Sequence, residues 1–233
     1  MTTARSATIS PRTKRWLLPA AADLFASLAR NLESSLGLGA PAARVLVARG
    51  LANVEAARRF LAPSLADLHD PLLMRDMPRA VERLLAAIRG GDKILIYGDY
   101  DVDGTSSVVV LTKAIELAGG AAHYHVPHRL KDGYGMRAEV VEAAAAQDVK
   151  LIVSVDTGIR AAEVVARANA LGIDVIVTDH HLPEAELPPA IAVLNPNRPD
   201  CEYPGKDLCG AGVAFKLAQA LQSRGLTGVG QAE

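Results

Sequence analysis

The sequence predicts an α/β fold: a parallel five-stranded sheet flanked by helices, with a small helical segment ahead of it. Short β-rich runs recur at residues 93–98, 122–127, 150–156, 174–179 and 190–195. Stretches with helical spacing fall between them at 105–118, 136–147 and 160–171, and the alternation begins only after Gly90 and Gly91. Strands separated by helices cannot pair as hairpins, so they run parallel and bury both faces beneath the helices.

The elements follow in chain order. Residues 20–36 and 41–62 have helical periodicity, Asn53 is placed to cap the run "VEAARRFL", and Pro63 ends it. The stretch "PSLADLHDPLLMRDMP" is dense in turn formers and reads as an irregular connector. "RAVERLLAAIRGG" is an amphipathic helix stopped by its two glycines. The expected organisation is a helical segment and connector over 1–76 and an α/β domain over 77–233.

Composition excludes several classes. Half of the 233 residues are hydrophobic, enough for a sizeable core and too many for a disordered chain. No apolar run reaches the roughly 18 residues of a membrane span, because Asp23, Arg30, Lys113 and Glu116 interrupt the candidates. The basic start (Arg5, Arg12, Lys14, Arg15) before "WLLPAAADLFASLA" has the layout of a secretory signal, but Asp23 falls inside its apolar part and export is not expected. Cys201 and Cys209 are too few for a disulfide framework and lack zinc-type spacing, so a reducing cytoplasm is the expected compartment. The net charge of −1 hides an asymmetry: residues 1–60 carry nine Lys/Arg against three Asp/Glu, the remainder sixteen against twenty-three. Such a split suits phosphate-backbone contacts on one side and a metal site on the other, and equally suits ordinary solvated helix faces.

Function is written at the strand ends, where open α/β sheets bind their ligands. The first strand runs into Asp99, Asp101 and Asp103, the third into Asp156, the fourth into Asp179, His180 and His181. Singly, each has a plain structural role: Asp103–Gly104 as a turn pair, Asp99 as a helix cap, Asp156 as a strand-to-helix turn. Together they bring carboxylates and imidazoles to one rim, where they would repel one another and raise their own pKa values unless a cation lay between them. Oxygen donors with one or two imidazoles favour Mn2+ or Mg2+ over a structural zinc.

The strings "DYDVDG", "VSVDTGI" and "VTDHH", in this order, resemble the first three motifs of the DHH phosphoesterases. "VPHRLKDGYGM", "VLNPNRPDCEYP" and "KDLCGAGVAFKLAQAL" are similar to the bacterial single-strand-specific exonucleases of that family, and the resemblance runs from about residue 54 to 224. It implies that Asp101 and Asp103 bind metal, that Asp156 binds or bridges it, and that His180 is a further ligand, with Asp99 and Asp179 as supporting groups. His181 would contact the scissile phosphate and Arg129 would hold a phosphate by a bidentate contact. Tyr134 would stack on a base or simply close the Gly133–Gly135 turn. The implied chemistry is hydrolysis of a phosphodiester between two cations roughly 3.5 to 4 Å apart, without a protein nucleophile. The implied substrate is single-stranded DNA, degraded from its 5′ end in repair and recombination, with a helicase and a single-strand-binding protein as candidate partners and no role for a membrane.

One departure bears on activity. A fourth motif of the family, carrying another metal-binding aspartate, and the C-terminal DHHA1-type domain are expected downstream of "GAGVAFKL" and do not occur before Glu233; Asp200 and Asp207 are weak substitutes. The isolated chain is therefore expected to have weak or no nuclease activity. Three other readings stay open: a haloacid-dehalogenase-type phosphatase using Asp101 of "DVDGT" as nucleophile, a DHH phosphodiesterase for cyclic dinucleotides or short oligonucleotides, and a non-catalytic scaffold.

Overall fold

A computed structural model describes residues 23–225, and the chain divides into two compact units, 1–68 and 69–233. The basic start and the signal-like stretch up to residue 22 lie outside the described residues.

The first unit contains α1 (Asp23–Leu36), α2 (Ala40–Ala48) and α3 (Val54–Leu61), which close on a small core of Ala29, Leu32, Ala43, Leu46 and Ala57. The periodic stretch 41–62 is thus two helices. Gly50 turns the chain with φ +82°, and the Asn53 side chain caps α3 by accepting from the amides of Glu55 (2.8 Å) and Ala56 (3.2 Å).

The second unit carries α4 (Met77–Gly90), β1 (Lys93–Tyr97), α5 (Val102–Leu117), β2 (Ala122–His125), α6 (Ala138–Ala146), β3 (Val149–Val155), α7 (Ala162–Ala170), β4 (Asp174–Thr178), β5 (Ala192–Leu194) and α8 (Gly210–Gly225). All five strands are parallel, in the order β2-β1-β3-β4-β5. Strand alternation splits the core in two. Ile94, Ile96, Leu151, Val153 and Ile176 face α4, α5 and α8, whereas Leu95, Tyr97, Ile152, Val175 and Val177 face α6 and α7. Among the described residues no helix is long and apolar enough to cross a membrane.

The 15 residues between β5 and α8 have little regular structure and are fixed by Arg198. Its guanidinium, buried against the sheet end, donates to Asp76 Oδ2 and Val193 O (2.7 Å each) and to both oxygens of Asp200 (2.9 and 2.8 Å). Asp76 is itself held at φ +65° and also accepts from Val193 N. Arg198→Ala would leave Asp76 and a strand carbonyl without their charge-assisted donor, and should lower stability by about 3 kcal/mol; a urea-melt midpoint unchanged from the parent would refute this role.

Candidate metal centre

The strand order places the site. From β1 the chain leaves through α5 toward β2, and from β3 it leaves through α7 toward β4, on the opposite face. The crevice between these divergent exits lies at the carboxyl ends of β1 and β3, the topological switch point of an open α/β sheet. Asp99, Asp101 and Asp103 follow β1, and Asp156 follows β3 directly, its amide donating to Thr178 O (2.9 Å) at the end of β4.

Each carboxylate is handled differently. Asp101 caps α5: its Oδ1 accepts from the amides of Asp103 (2.8 Å) and Gly104 (2.9 Å), so the helix starts three residues earlier than its hydrophobic spacing indicates. Asp103, two residues on in the first turn of α5, is gripped by the N-terminus of α8, accepting from Gly210 N (2.6 Å) and Ala211 N (2.7 Å). Burial pushes its pKa up, but these amides and the Cys209 thiol outweigh that and hold it below the ordinary range. Asp99, 4 % exposed, has an Oδ1 with no hydrogen-bond partner; burial first, then the Asp101 charge, raise its pKa.

Asp156 is the most strained member. Its φ is +60°, unusual for a residue with a side chain, and it is 2 % exposed. Its Oδ1 has no hydrogen-bond partner although His180 Nε2 lies 3.2 Å away, off the hydrogen-bonding direction. Burial, then repulsion from Asp103, Asp101 and Asp179, push its pKa up to about 8. His180 Nε2 also lies 3.5 Å from Asp103 Oδ2, so Asp103, Asp156 and His180 meet at one point.

Asp179, 1 % exposed, organises the turn after β4. Its Oδ1 accepts from His180 N (2.7 Å) and His181 N (3.1 Å) and pairs with His181 Nδ1 (2.7 Å), while Oδ2 accepts from Ile159 N (3.0 Å). Burial opposes ionisation, but the His181 side chain and these amides hold Asp179 below the ordinary range, and Asp179 in turn raises His181. Pairing at Nδ1 leaves Nε2 as the second functional nitrogen of that ring.

Donor atoms of Asp99, Asp101 and Asp156 lie within 4.8 Å of one another, as do those of Asp156, His180 and His181. Asp156 belongs to both sets. A divalent cation fits these residues on the evidence of the protein alone: two buried carboxylate oxygens lack any partner, and one carboxyl is pushed toward neutrality by neighbours that a cation would turn from repulsive to cooperative.

Arg129 and Tyr134 are not in that cluster. Arg129 is exposed, with its guanidinium carbon 5.1 Å from the centroid of the Tyr100 ring, a cation–π contact. Tyr134 sits between Gly133 (φ +75°) and Gly135 (φ +95°), and its hydroxyl lies 3.4 Å from both ring nitrogens of His181. Its ring stands edge-on to Tyr100 and His181, at centroid distances of 6.4 and 6.0 Å. Arg129, Tyr100, Tyr134 and His181 thus form a ladder ending at the cluster, with Arg129 and Tyr134 exposed and Tyr100 and His181 half-buried. Asp200 is engaged by Arg198 and Arg75, away from the cluster.

Sequence reasoning missed the supports. Asn195 Nδ2 donates to His181 O (2.8 Å), Asn197 Nδ2 donates to His180 O (2.6 Å), and the two are joined by Asn197 N to Asn195 Oδ1 (2.7 Å). The signal for them was the pair of amides flanking Pro196 directly after the last strand. Gly210 was also missed: a methyl group there would fall within 2.6 Å of Asp156 Cβ and Cγ and collide with Oδ1.

The chain is similar to known proteins in sequence and in fold. The chain is 42 % identical over 192 residues to the single-stranded-DNA-specific exonuclease RecJ of Bacillus subtilis, covering 82 % of this chain and 24 % of the relative. To the Escherichia coli protein of the same name it is 48 % identical over 146 residues, 62 % of this chain and 25 % of that one. The chain therefore spans about a quarter of the length of these relatives. Among solved structures, RecJ from Thermus thermophilus in complex with Mn2+ is 30 % identical, with a TM-score of 0.66 over 85 % of this chain and 27 % of that one. Another, a RecJ exonuclease bound to manganese, is 37 % identical with a TM-score of 0.59 over 65 % of this chain and 38 % of that one. A family model described as the N-terminal domain of the DHH family matches residues 93–231, which take in the switch-point carboxylates, the paired histidines and α8. The chain belongs to the DHH family.

Proposed function

We propose that this chain forms the metal-binding part of a phosphodiesterase that degrades single-stranded DNA from its 5′ end in repair and recombination, using Mn2+ or Mg2+. A catalytic domain from residue 77 would carry the site, with the segment up to residue 76 ahead of it. The observation that carries the reading is the buried Asp156 carboxylate, unpartnered and common to both donor sets. Asp101, Asp103, Asp156 and His180 would be the ligands, Asp99 and Asp179 their supports.

A bound divalent cation would supply Lewis acidity, making a water nucleophilic near neutral pH and offsetting phosphate charge. The protein's own residues do the rest. Amides at the start of α8 hold Asp103 ionised, and Asp179 pins His181 so that its second nitrogen can meet a phosphate oxygen. The Arg129–Tyr100–Tyr134 ladder offers a cation and the exposed Tyr134 ring to a strand leaving the site, a sequence-tolerant way of holding unpaired bases. A helicase and a single-strand-binding protein would be working partners in the cytoplasm.

The test is digestion of 5′-labelled single-stranded and duplex DNA by the protein that carries this sequence, with Mn2+ and with chelator. Release of mononucleotides from the single strand alone, abolished by chelation, is expected. Metal-independent hydrolysis, or a preference for duplex or dinucleotide, would overturn the reading.

A further inference from the structure

Two arginines of the second unit each join two carboxylates and a strand carbonyl, at opposite ends of the sheet. Arg83 donates to Asp92, Asp174 and Lys150 O, at the amino ends of β1, β4 and β3. Arg198 donates to Asp76, Asp200 and Val193 O, just beyond the carboxyl end of β5. Their neighbours in the chain differ. Arg198 closes the turn Asn195–Pro196–Asn197–Arg198, its amide donating to Asn195 O (3.4 Å) while Asn197 N donates to Asn195 Oδ1 (2.7 Å). The carbonyl of Pro196, between the two asparagines, accepts from Lys206 Nζ (2.7 Å), which also donates to Cys201 O (2.5 Å). The turn is therefore tied from behind by two cations, and its asparagine side chains reach forward to the carbonyls of His181 and His180.

Asn195 is fully buried and Arg198 is 6 % exposed, so water does not readily replace these bonds when one is broken. The two histidines carry the ring atoms that meet the carboxylates: His180 Nε2 lies beside Asp103 and Asp156, and His181 Nδ1 pairs with Asp179. Sites of this kind need their side chains held to within about 0.5 Å. We propose that Arg198 is a positioning residue for the metal centre: it fixes the Asn195–Asn197 turn, and the turn fixes the direction in which the His180 and His181 rings point. The inference rests on the metal-site reading and adds to it a buried cation that never touches metal or substrate. Arg83 makes equivalent bonds where no metal-site side chain follows, so its contribution is to stability alone. Lys206 acts in the same sense as Arg198, through the Pro196 carbonyl.

The experiment compares Arg198→Lys with Arg83→Lys in the 233-residue chain. A lysine keeps the charge but cannot serve two carboxylates and a carbonyl at once, so both variants should melt at lower urea than the parent. Only Arg198→Lys is expected to move the ring 1H–15N signals of His180 and His181 in the metal-free chain, and to weaken calorimetric Mn2+ binding by about tenfold, the low end for groups behind a metal ligand. Should Arg198→Lys fail to fold, Lys206→Met, which frees only the Pro196 and Cys201 carbonyls, is read by the same two criteria. Ring signals and Mn2+ affinity that stay at the parent's values, or that change equally in Arg83→Lys, would overturn the proposal. Failure of the metal-site reading is separate: the parent chain would then bind no Mn2+, while the ring signals of the metal-free variants still decide the role of Arg198.

Discussion

In the protein that carries this sequence, Asp156→Asn is expected to abolish the proposed metal-dependent hydrolysis and, in the metal-free chain, to raise stability above about pH 5. The first effect follows from its place in both donor sets. Removing an outer hydrogen-bonding partner of a metal site typically costs about 10- to 100-fold; loss of the one carboxylate common to both sets should lower the rate by at least about a thousandfold. The second effect follows from linkage. Asp156 has its folded-state pKa raised to about 8 by burial and by the neighbouring carboxylates, so below that pH the folded chain holds a proton that the unfolded chain has already released. Stability of the metal-free chain therefore falls as pH rises from about 4 to about 8, by up to about 1.4 kcal/mol per unit. Asp99, also raised, adds in the same sense. Asp103 and Asp179 are lowered, so their stabilisation is lost only on acidification through the low end of the carboxylate range. The asparagine variant removes the Asp156 contribution, and its urea midpoint should depend less on pH between 5 and 8 than the parent's. A variant with unchanged pH dependence would show that Asp156 is not a frustrated carboxyl.

Gly210→Ala should cost the site more than the fold, and Gly104→Ala the reverse. At Gly210 the added methyl would collide with the Asp156 side chain, which can swing aside, but only by leaving the cluster and disturbing the amides that hold Asp103. Overpacking of this kind costs about 1–3 kcal/mol, while metal affinity should fall by at least about 100-fold. At Gly104 the methyl would fall within 2.6 to 2.7 Å of the backbone O, C and Cα of Asp99, which cannot move without opening the turn between β1 and α5. Its destabilisation should reach at least about 3 kcal/mol. Calorimetric Mn2+ titration beside a urea melt separates the two. Equal metal affinity in Gly210→Ala and the parent would remove α8 from the account of the site.

These contrasts also mark what could be read from the sequence. The sheet was legible because buried parallel strands are continuous apolar runs and helices between them have a different period. Asp99, Asp103, Asp156 and His180 were legible as candidates because each follows such a run. Asp101 as a helix cap was not, because its partners are amides of the next turn and the hydrophobic spacing of α5 begins only after them. Gly210 was hidden for another reason: its importance lies in a methyl group it lacks, beside a residue 54 positions away in the chain. Asn195 and Asn197 act on backbone carbonyls of the two histidines, a relation that no local periodicity encodes. The contact of Arg129 with Tyr100 likewise depends on how two loops meet.

The central claim is that Asp101, Asp103, Asp156 and His180 surround divalent cation at the switch point of the sheet. Crystals of the chain soaked in Mn2+ and measured at wavelengths on both sides of the manganese edge test it most directly. The account predicts anomalous density within coordination distance of Asp156, with Asp103 and His180 or Asp101 as co-ligands. Manganese bound elsewhere, with the Asp156 carboxylate left bare, would contradict it.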